Sequence, residues 1–189
     1  MRSMAERGRG AGVGGRCQSV PMDVSDLLTD ALGRVREQIP DLVKGLSDDD
    51  LAWRPDPEAN SIAWLVWHLT RIEDDHVAGV AGTEQVWTAD GWAGRFDLPF
   101  ATGEHGYAMS TDDVGKVRVS GDLLAGYYDA VAARSASYVA DLRPDDLDRV
   151  VDEQWDPPVT LGVRLVSVVN EVNAHLGQAQ YVRGLLERR

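Results

Sequence analysis

The sequence predicts an all-α protein: a four-helix bundle with a long crossover segment between its second and third long helices. Apolar residues recur at steps of three and four residues in four long segments, which is the pattern of amphipathic helices. A long segment containing Gly, Trp and Phe separates the second pattern from the third, and only one short stretch suggests a β-strand. We therefore expect a bundle of up-and-down type, with residues 22–189 forming a single domain.

The first predicted helix begins at about Asp23, which, like Ser25, can cap a helix N-terminus. Its apolar face consists of Val24, Leu27, Leu28, Leu32 and Val35. Pro40 and Gly45 are expected to interrupt it. The acidic run at 47–51 is interpreted as another helix start with a solvated face, because it lacks the spaced ligands of a calcium loop.

The second predicted helix spans about 61–81, with Ser61 as its N-cap and Gly82 as its stop signal. Steps of three, four and seven residues place His68 on the same side as three apolar residues, Trp64, Leu65 and Ile72. We assign that side to the core, where an unpaired polar group is destabilising. His68 is therefore expected to have an internal partner.

Residues 83–111 form the predicted crossover, and a connection of this length is usually functional or mobile. The third and fourth long helices are predicted at about 120–142 and 161–187. Pro157 and Pro158 exclude a helix from the connection between them. The candidate strand covers 117–120, so helices dominate the predicted secondary structure.

The overall charge of the chain limits its classes of partner. There are 31 acidic and 19 basic residues, which gives a formal net charge of −12. Nucleic acids and anionic membrane surfaces bind basic proteins, so we expect neither as a partner. No run of about 18 uncharged apolar residues appears, which excludes a predicted transmembrane helix. A small-molecule substrate is the expected partner.

The single cysteine, Cys17, cannot form an intramolecular disulfide and favours a cytoplasmic location. It lies in residues 1–21, which are rich in Gly and Arg and lack the apolar core of a secretory signal. This segment is interpreted as a disordered leader, with Met22 as an alternative start of the natural protein.

The last predicted helix carries the pattern that suggests chemistry. Glu171 and His175 are four residues apart, so their side chains point about 40° apart on one helix face, and Gln178 returns to within about 20° of Glu171. Helices present two ligands to one metal ion at this spacing, and His68 is the best candidate for a third. Two imidazoles and a carboxylate suit zinc, nickel, iron or manganese. The simpler alternatives are a hydrogen bond between Glu171 and His175, and a core His68 satisfied by a backbone carbonyl.

Two polar side chains near these residues are candidates for a supporting role or a pocket wall. Arg71, one turn after His68, either meets a substrate carboxylate or forms a surface ion pair with Asp74 or Asp75. Gln178 either hydrogen-bonds a metal ligand or satisfies another internal polar group.

Three further aromatic side chains bear on the same site. Trp67, which precedes His68, is a candidate for the wall of a pocket. His76 is interpreted as a surface imidazole because acidic residues precede it, with a hydrogen bond to a metal ligand as the alternative. His105 is interpreted as a residue of the crossover loop, with the mouth of a pocket as the alternative.

Two segments, NSIAWLVWHLTRIEDDHV at 60–77 and NEVNAHLGQAQYVRGLL at 170–186, resemble the DinB-like superfamily of four-helix-bundle proteins. The likeness covers roughly residues 23–187. Many members carry a His-x-x-x-His pair in the last helix, whereas this chain has Glu171 in the first position of the pair. This ligand pattern is nearest to the mycothiol-dependent maleylpyruvate isomerase branch. The resemblance implies a homodimer and one divalent metal per chain, zinc or alternatively nickel or manganese, with three protein ligands, His68, Glu171 and His175.

The resemblance also implies a function, a metal-dependent enzyme that is a mycothiol-type S-transferase or isomerase. The metal would hold a low-molecular-weight thiol as the thiolate, so no catalytic residue beyond the metal ligands is predicted. Two alternatives stay open: a metal-dependent hydrolase, and a non-catalytic metal-binding stress or sequestration protein.

Overall fold

A computed structural model describes residues 22–189, which form eight α-helices, one 3₁₀-helix and two short strands. In chain order the helices are α1 (Val24–Val43), α2 (Asp48–Leu51), α3 (Ile62–Ala81), α4 (Val86–Ala89), α5 (Trp92–Phe96), α6 (Thr111–Val114), α7 (Gly121–Ala140) and α8 (Leu161–Leu186). The 3₁₀-helix Pro144–Asp148 and the strands β1 (Val150–Asp152) and β2 (Val159–Thr160) lie between α7 and α8. The all-α class is confirmed, while the predicted leader, residues 1–21, lies outside the described residues.

Side-chain caps begin the long helices where the sequence predicts them. The Ser61 hydroxyl accepts a hydrogen bond from the backbone N–H of Trp64 at 3.1 Å, and Ser120 and Thr160 cap α7 and α8 in the same way. These oxygens satisfy N–H groups that have no partner within the helix. Gly82 ends α3 in the left-handed conformation, with φ of 68°, as a C-terminal glycine does.

Helix α1 differs from its prediction at its C-terminal end. Pro40 lies inside the helix, which continues to Val43, and the Lys44 N–H donates to the Pro40 carbonyl. The interruption expected at Pro40 is therefore wrong, because the proline removes one donor but the last turn forms beyond it. The helix does end before Gly45, which has a φ of +77°. Of the predicted apolar face, Leu27 is 57% exposed, whereas Leu28, Leu32 and Val35 are buried.

The long helices enclose one apolar core. Helix α3 packs against α7 and α8, and α1 packs against the same two helices on the opposite side. His76 near the end of α3 contacts Arg164 near the start of α8, so these two helices are antiparallel. Within the described residues, no helix combines the length and the apolar character that crossing a bilayer requires.

The helix directions differ from the expected up-and-down alternation. Arg183 near the end of α8 donates to the carbonyl of Leu42 near the end of α1, at 2.7 Å, so α1 and α8 are parallel. Gly121 at the start of α7 packs against Val43 at the end of α1, so α7 is antiparallel to α1. Helices α3 and α7 are consequently parallel neighbours, which is why a long crossover must connect them.

The strand prediction is wrong in its position. Residues 117–120 are not a strand; Val117 and Val119 are buried and anchor the extended approach to α7. The strands instead form a short antiparallel pair, β1 with β2, in which Val150 lies opposite Thr160. This pair lies in the segment between α7 and α8, which the sequence indicated only as a connection. The strands were not predicted because a two-residue strand is too short to show alternation.

The crossover is anchored to the bundle by a buried carboxylate. Asp74 of α3 accepts hydrogen bonds from the backbone N–H groups of Val86 and Trp87, both at 2.8 Å. The hydroxyl of Tyr127 in α7 donates to the same side chain at 2.8 Å, and the Trp87 ring packs against Tyr127. This anchoring holds the crossover, including residues 104–106, against α3.

Candidate metal centre

Three side chains converge between the facing helices α3 and α8. Nε2 of His175 lies 3.0 Å and Nε2 of His68 lies 3.5 Å from Oε1 of Glu171. A ligand atom of each residue lies within 4.8 Å of the other two. Bonds of about 2.1 Å at tetrahedral angles separate two ligand atoms by about 3.4 Å, so the cluster has dimensions that suit a metal ion. The structure therefore brings together the three residues that the sequence singled out.

Hydrogen bonds on the outer side of each imidazole determine what the ring presents to the cluster. Nδ1 of His68 lies 2.5 Å from the carbonyl oxygen of His105, and Nδ1 of His175 lies 2.7 Å from Oε1 of Gln178. Both oxygens are acceptors, so each neutral ring carries its proton on Nδ1 and directs an Nε2 lone pair inward. Glu171 adds a carboxylate oxygen. Three acceptors therefore meet with no proton donor among these three side chains, an arrangement that a cation stabilises.

His68 is the most enclosed member of the cluster, at 4% exposed. Its ring stacks on Trp64, with centroids 4.6 Å apart and an interplanar angle of 15°. Burial is the main cause that lowers the pKa of the His68 imidazole, so the ring is neutral near pH 7. The backbone carbonyl expected as a simple alternative partner is present, at His105, but it engages Nδ1 alone and leaves Nε2 facing Glu171.

A short crossover loop, residues 104–106, holds His68 in this orientation. The Glu104 carboxylate accepts hydrogen bonds from the backbone N–H groups of His105 and Gly106, at 2.9 and 2.7 Å. Gly106 has a φ of +97°, and a Cβ there would lie only 2.6 Å from Nδ1 of His68. His105 is a loop residue as predicted, but it orients His68 through its backbone carbonyl group and not through its imidazole. The identity of a side chain does not predict a contact made by the backbone. The glycine that follows it was the available signal for a close backbone approach.

Arg71 is buried, at 1% exposed, so its ion pair with Asp74, one of the two expected partners, lies inside the bundle and not at the surface as expected. Its Nη1 lies 3.7 Å from Asp74 inside the bundle and donates to the side-chain oxygen of Gln85 at 2.8 Å. Its Nε donates to the carbonyl oxygen of Glu104 at 3.2 Å. Protein groups therefore occupy the guanidinium. The alternative prediction, that Arg71 binds a substrate carboxylate, has no support in this arrangement. Arg71 thereby supports the loop that orients His68.

Of the two remaining candidates, Gln178 contacts the centre, whereas Trp67 lies beside the crossover loop. Gln178 hydrogen-bonds His175, the first of its two predicted alternatives. Trp67 is buried and lies close to Gly106, since a Cβ added to that glycine would be 3.2 Å from the Trp67 ring. The ring also packs against Phe100, with centroids 6.3 Å apart. Its Nε1 has no hydrogen-bond partner within residues 22–189. Trp67 is thus part of the packing around the loop.

Two of the three acidic residues that precede His76, Glu73 and Asp74, do not face water as their composition suggests. Glu73 is fully buried, and Ser135 and Tyr128 of α7 place hydroxyls near it without reaching hydrogen-bond geometry. Burial outweighs both hydroxyls and raises the pKa of Glu73 to about 7. A titrating carboxyl group inside the helical core was not predicted from the sequence.

His76 is partly buried, which corrects its interpretation as a surface imidazole. Its Nδ1 lies 3.3 Å from Nη1 of Arg164, and Asp75 lies 3.6 Å away. Burial, followed by the Arg164 charge, lowers the pKa of His76. His76 lies two turns beyond His68 on α3 and is not a member of the convergent cluster.

The cluster is accessible from one side. The Glu171 side chain is about one-third exposed, whereas the His68 side chain is almost completely enclosed. Three protein ligands with one side open to solvent are typical of a metal site that also binds an exogenous ligand. The arrangement is suited to chemistry on a small molecule that approaches past Glu171.

Comparison with known proteins identifies the family. A family model described as mycothiol-S-transferase matches residues 27–188, a range that includes all three members of the cluster. No curated protein matches the chain. A solved structure described as "the conserved protein of locus from Enterococcus faecalis" is 29% identical, with 89% of this chain and 100% of that chain covered and a TM-score of 0.83. The chain therefore belongs to the mycothiol S-transferase family, within the DinB-like superfamily predicted from its sequence.

Proposed function

We propose that the protein is a divalent-metal-dependent S-transferase that uses mycothiol or a closely related low-molecular-weight thiol. The proposed metal ligands are His68, Glu171 and His175, and the proposed metal is zinc, with nickel and manganese as alternatives. Isomerisation through reversible addition of the same thiol is a variant of this activity. The observation that carries the proposal is the convergence of three acceptor atoms between α3 and α8 in a chain of this family.

The chemistry of the donor set fits activation of a thiol. A divalent ion held by one carboxylate and two neutral imidazoles retains about one unit of positive charge, which supplies the Lewis acidity that lowers a thiol pKa. The His105 carbonyl and the Gln178 amide keep each Nε2 free of a proton. Because the ligand atoms do not have to lose protons first, these outer contacts strengthen the affinity of the site.

The expected reaction is transfer of the thiol to an electrophilic carbon. The thiol first releases its proton to solvent, the sulfur then forms a bond to that carbon, and the electron pair of the bond to the leaving group departs with the leaving group. In the isomerase variant the sulfur leaves again after the substrate has changed geometry. The chain contributes position: Trp64 stacks on His68 and closes one side, so the cosubstrate and the electrophile approach from the side where Glu171 is exposed.

The proposal also covers the domain organisation, the oligomeric state and the location of the protein. Residues 22–189 are proposed to fold as one domain, the protein is proposed to form a homodimer, and it is proposed to act in the cytoplasm. Light scattering coupled to size-exclusion chromatography measures the molar mass and tests the dimer directly.

Elemental analysis of purified protein tests the metal site. We expect about one transition metal per chain, and loss of that metal in the variants His68→Ala and His175→Ala. The matched control is His76→Ala, which removes a partly buried histidine of α3 outside the convergent cluster and is expected to keep the metal. Absence of metal in the wild type after reconstitution with zinc, nickel or manganese would overturn the proposal.

A turnover assay tests the thiol chemistry. Metal-loaded protein is expected to accelerate addition of mycothiol to a chlorinated fluorogenic electrophile, and a chelator is expected to abolish the acceleration. Metal binding without thiol turnover would instead support a sequestration protein. Metal-dependent cleavage of an ester without added thiol would support a hydrolase.

A further inference from the structure

A groove of about 750 Å³ runs beside the candidate metal centre, between the turn that precedes α3 and one face of α8. We call it the α8 groove and define it by the polar residues that line it, Asp56, Asn60, Gln178 and Tyr181, together with the apolar residues Leu65 and Val182. It extends along α8 toward the C-terminus of that helix. Gln178 is the residue that the groove shares with the metal centre, since its side chain hydrogen-bonds His175.

The α8 groove borders the centre at Gln178, while the three proposed ligands themselves do not line it. Gln178 lines the groove, and its side-chain oxygen lies 2.7 Å from Nδ1 of His175. Glu171 stands seven residues earlier on nearly the same side of the helix, since seven residues rotate to within about 20° of the starting direction. A ligand that occupies the groove therefore has one end next to Gln178, one hydrogen bond away from His175.

The lining of the α8 groove selects a class of ligand. Tyr181 is 68% exposed and offers an aromatic face to solvent. Asp56, Asn60 and Gln178 offer carboxylate and amide groups for hydrogen bonds. No Lys or Arg of the described residues lines the groove, so it is not built for an anion. A flat aromatic beside amides and a carboxylate suits a polyhydroxylated ring, which stacks through its C–H face and hydrogen-bonds through its hydroxyls.

The rim of the α8 groove is held in place by the protein itself. The Asp56 carboxylate accepts hydrogen bonds from the backbone N–H groups of Glu58 and Ala59, at 2.8 and 2.9 Å. Arg54 donates to the carbonyl oxygens of Pro57 and Ala59. A ligand therefore meets an ordered rim, which reduces the entropy lost on binding.

We infer that the α8 groove binds the sugar portion of the thiol cosubstrate while the thiol reaches the metal centre, an inference that rests on the proposed function. Mycothiol carries its cysteinyl thiol on a glucosamine–inositol unit, which is uncharged and polyhydroxylated. His175 and Tyr181 are six residues apart, which is about 9 Å along the helix. That separation accommodates a cysteinyl group between the sulfur and the first ring.

The experiment compares thiols with and without the sugar on a set of Tyr181 variants. Binding of S-methyl mycothiol to metal-free protein, measured by calorimetry, reports the groove independently of metal and turnover. Tyr181→Ala is expected to weaken this binding about tenfold, whereas Tyr181→Phe retains the aromatic face and the affinity. The control Trp155→Ala removes an exposed aromatic residue outside the groove and is expected to change nothing.

Steady-state kinetics separate this inference from the proposed function. In metal-loaded Tyr181→Ala, KM for mycothiol is expected to rise about tenfold with kcat unchanged, whereas KM for N-acetylcysteine stays at the wild-type value. If the wild type uses mycothiol but Tyr181→Ala matches it in affinity and in KM, the groove inference is wrong and the proposed function stands. If the wild type turns over neither thiol, the proposed function itself fails.

Discussion

Replacement of Gly106 by alanine tests how the crossover loop holds His68. The added Cβ would lie 2.6 Å from Nδ1 of His68 and 3.2 Å from the rings of Trp64 and Trp67. Ordinary contact begins at 3.4 Å, so the loop or the imidazole must move by about 0.8 Å. The Trp64 and Trp67 rings limit movement of the loop on the other sides, so we expect the movement to open the hydrogen bond between His68 and the His105 carbonyl. Loss of a partner of this kind weakens metal affinity about 10–100-fold.

Two other glycine variants separate the effect of the clash from the effects of the added methyl group and of backbone strain. Gly103→Ala lies in the same segment with open space around its Cβ position, and it controls for the added methyl group. Gly91→Ala also lies in open space but has a φ of +71°, so it carries the backbone strain without the clash. That strain is about 1–2 kcal/mol in the free energy of unfolding and is not expected to affect the metal.

The assay is a zinc competition titration with a chromophoric chelator, together with thermal unfolding of the metal-free proteins. Gly106→Ala is expected to lose metal affinity and melting temperature, Gly91→Ala to lose melting temperature alone, and Gly103→Ala to resemble the wild type. Wild-type zinc affinity in Gly106→Ala would show that the loop does not position His68, and the reasoning from the close approach would be refuted.

Three further predictions concern groups around the centre. The folded protein retains a proton on Glu73 between pH 4.5 and about 7 that the unfolded chain releases, so its free energy of unfolding is expected to fall as pH rises through that window, by up to about 3 kcal/mol. Urea unfolding at several pH values measures this slope, and an equal slope in Glu73→Gln would contradict it. Gln178→Ala removes the acceptor for His175 and is expected to weaken zinc affinity about tenfold in the same chelator titration, whereas Gln178→Glu keeps an acceptor and the affinity. Asp74→Ala leaves the buried Arg71 without its carboxylate and is expected to lower the free energy of unfolding by about 3–5 kcal/mol in denaturant titrations, with Asp75→Ala as the milder comparison.

Sequence alone determined the features that depend on neighbours within one helix. The 3.6-residue period located the long helices, and Ser61 and Gly82 marked the ends of α3 because capping needs only residues of the adjacent turn. The spacing of Glu171 and His175 likewise placed both side chains on one face of α8 without knowledge of the rest of the chain. The core position of His68 made it the best candidate for a third ligand, and the resemblance to the DinB-like superfamily implied the complete set, because no local spacing contains that pairing.

Only the tertiary structure decided what surrounds these residues, because the decisive contacts join distant parts of the chain. The His105 carbonyl lies 37 residues from His68, and Glu104 lies 33 residues from Arg71, so neither contact leaves a periodic signal. Residues 73–75 illustrate the same limit. Their composition indicates a solvated acidic run, yet the crossover and α7 cover Glu73 and Asp74. Burial depends on which surface the folded chain places over a residue, and for α3 that surface is supplied by segments far away in sequence.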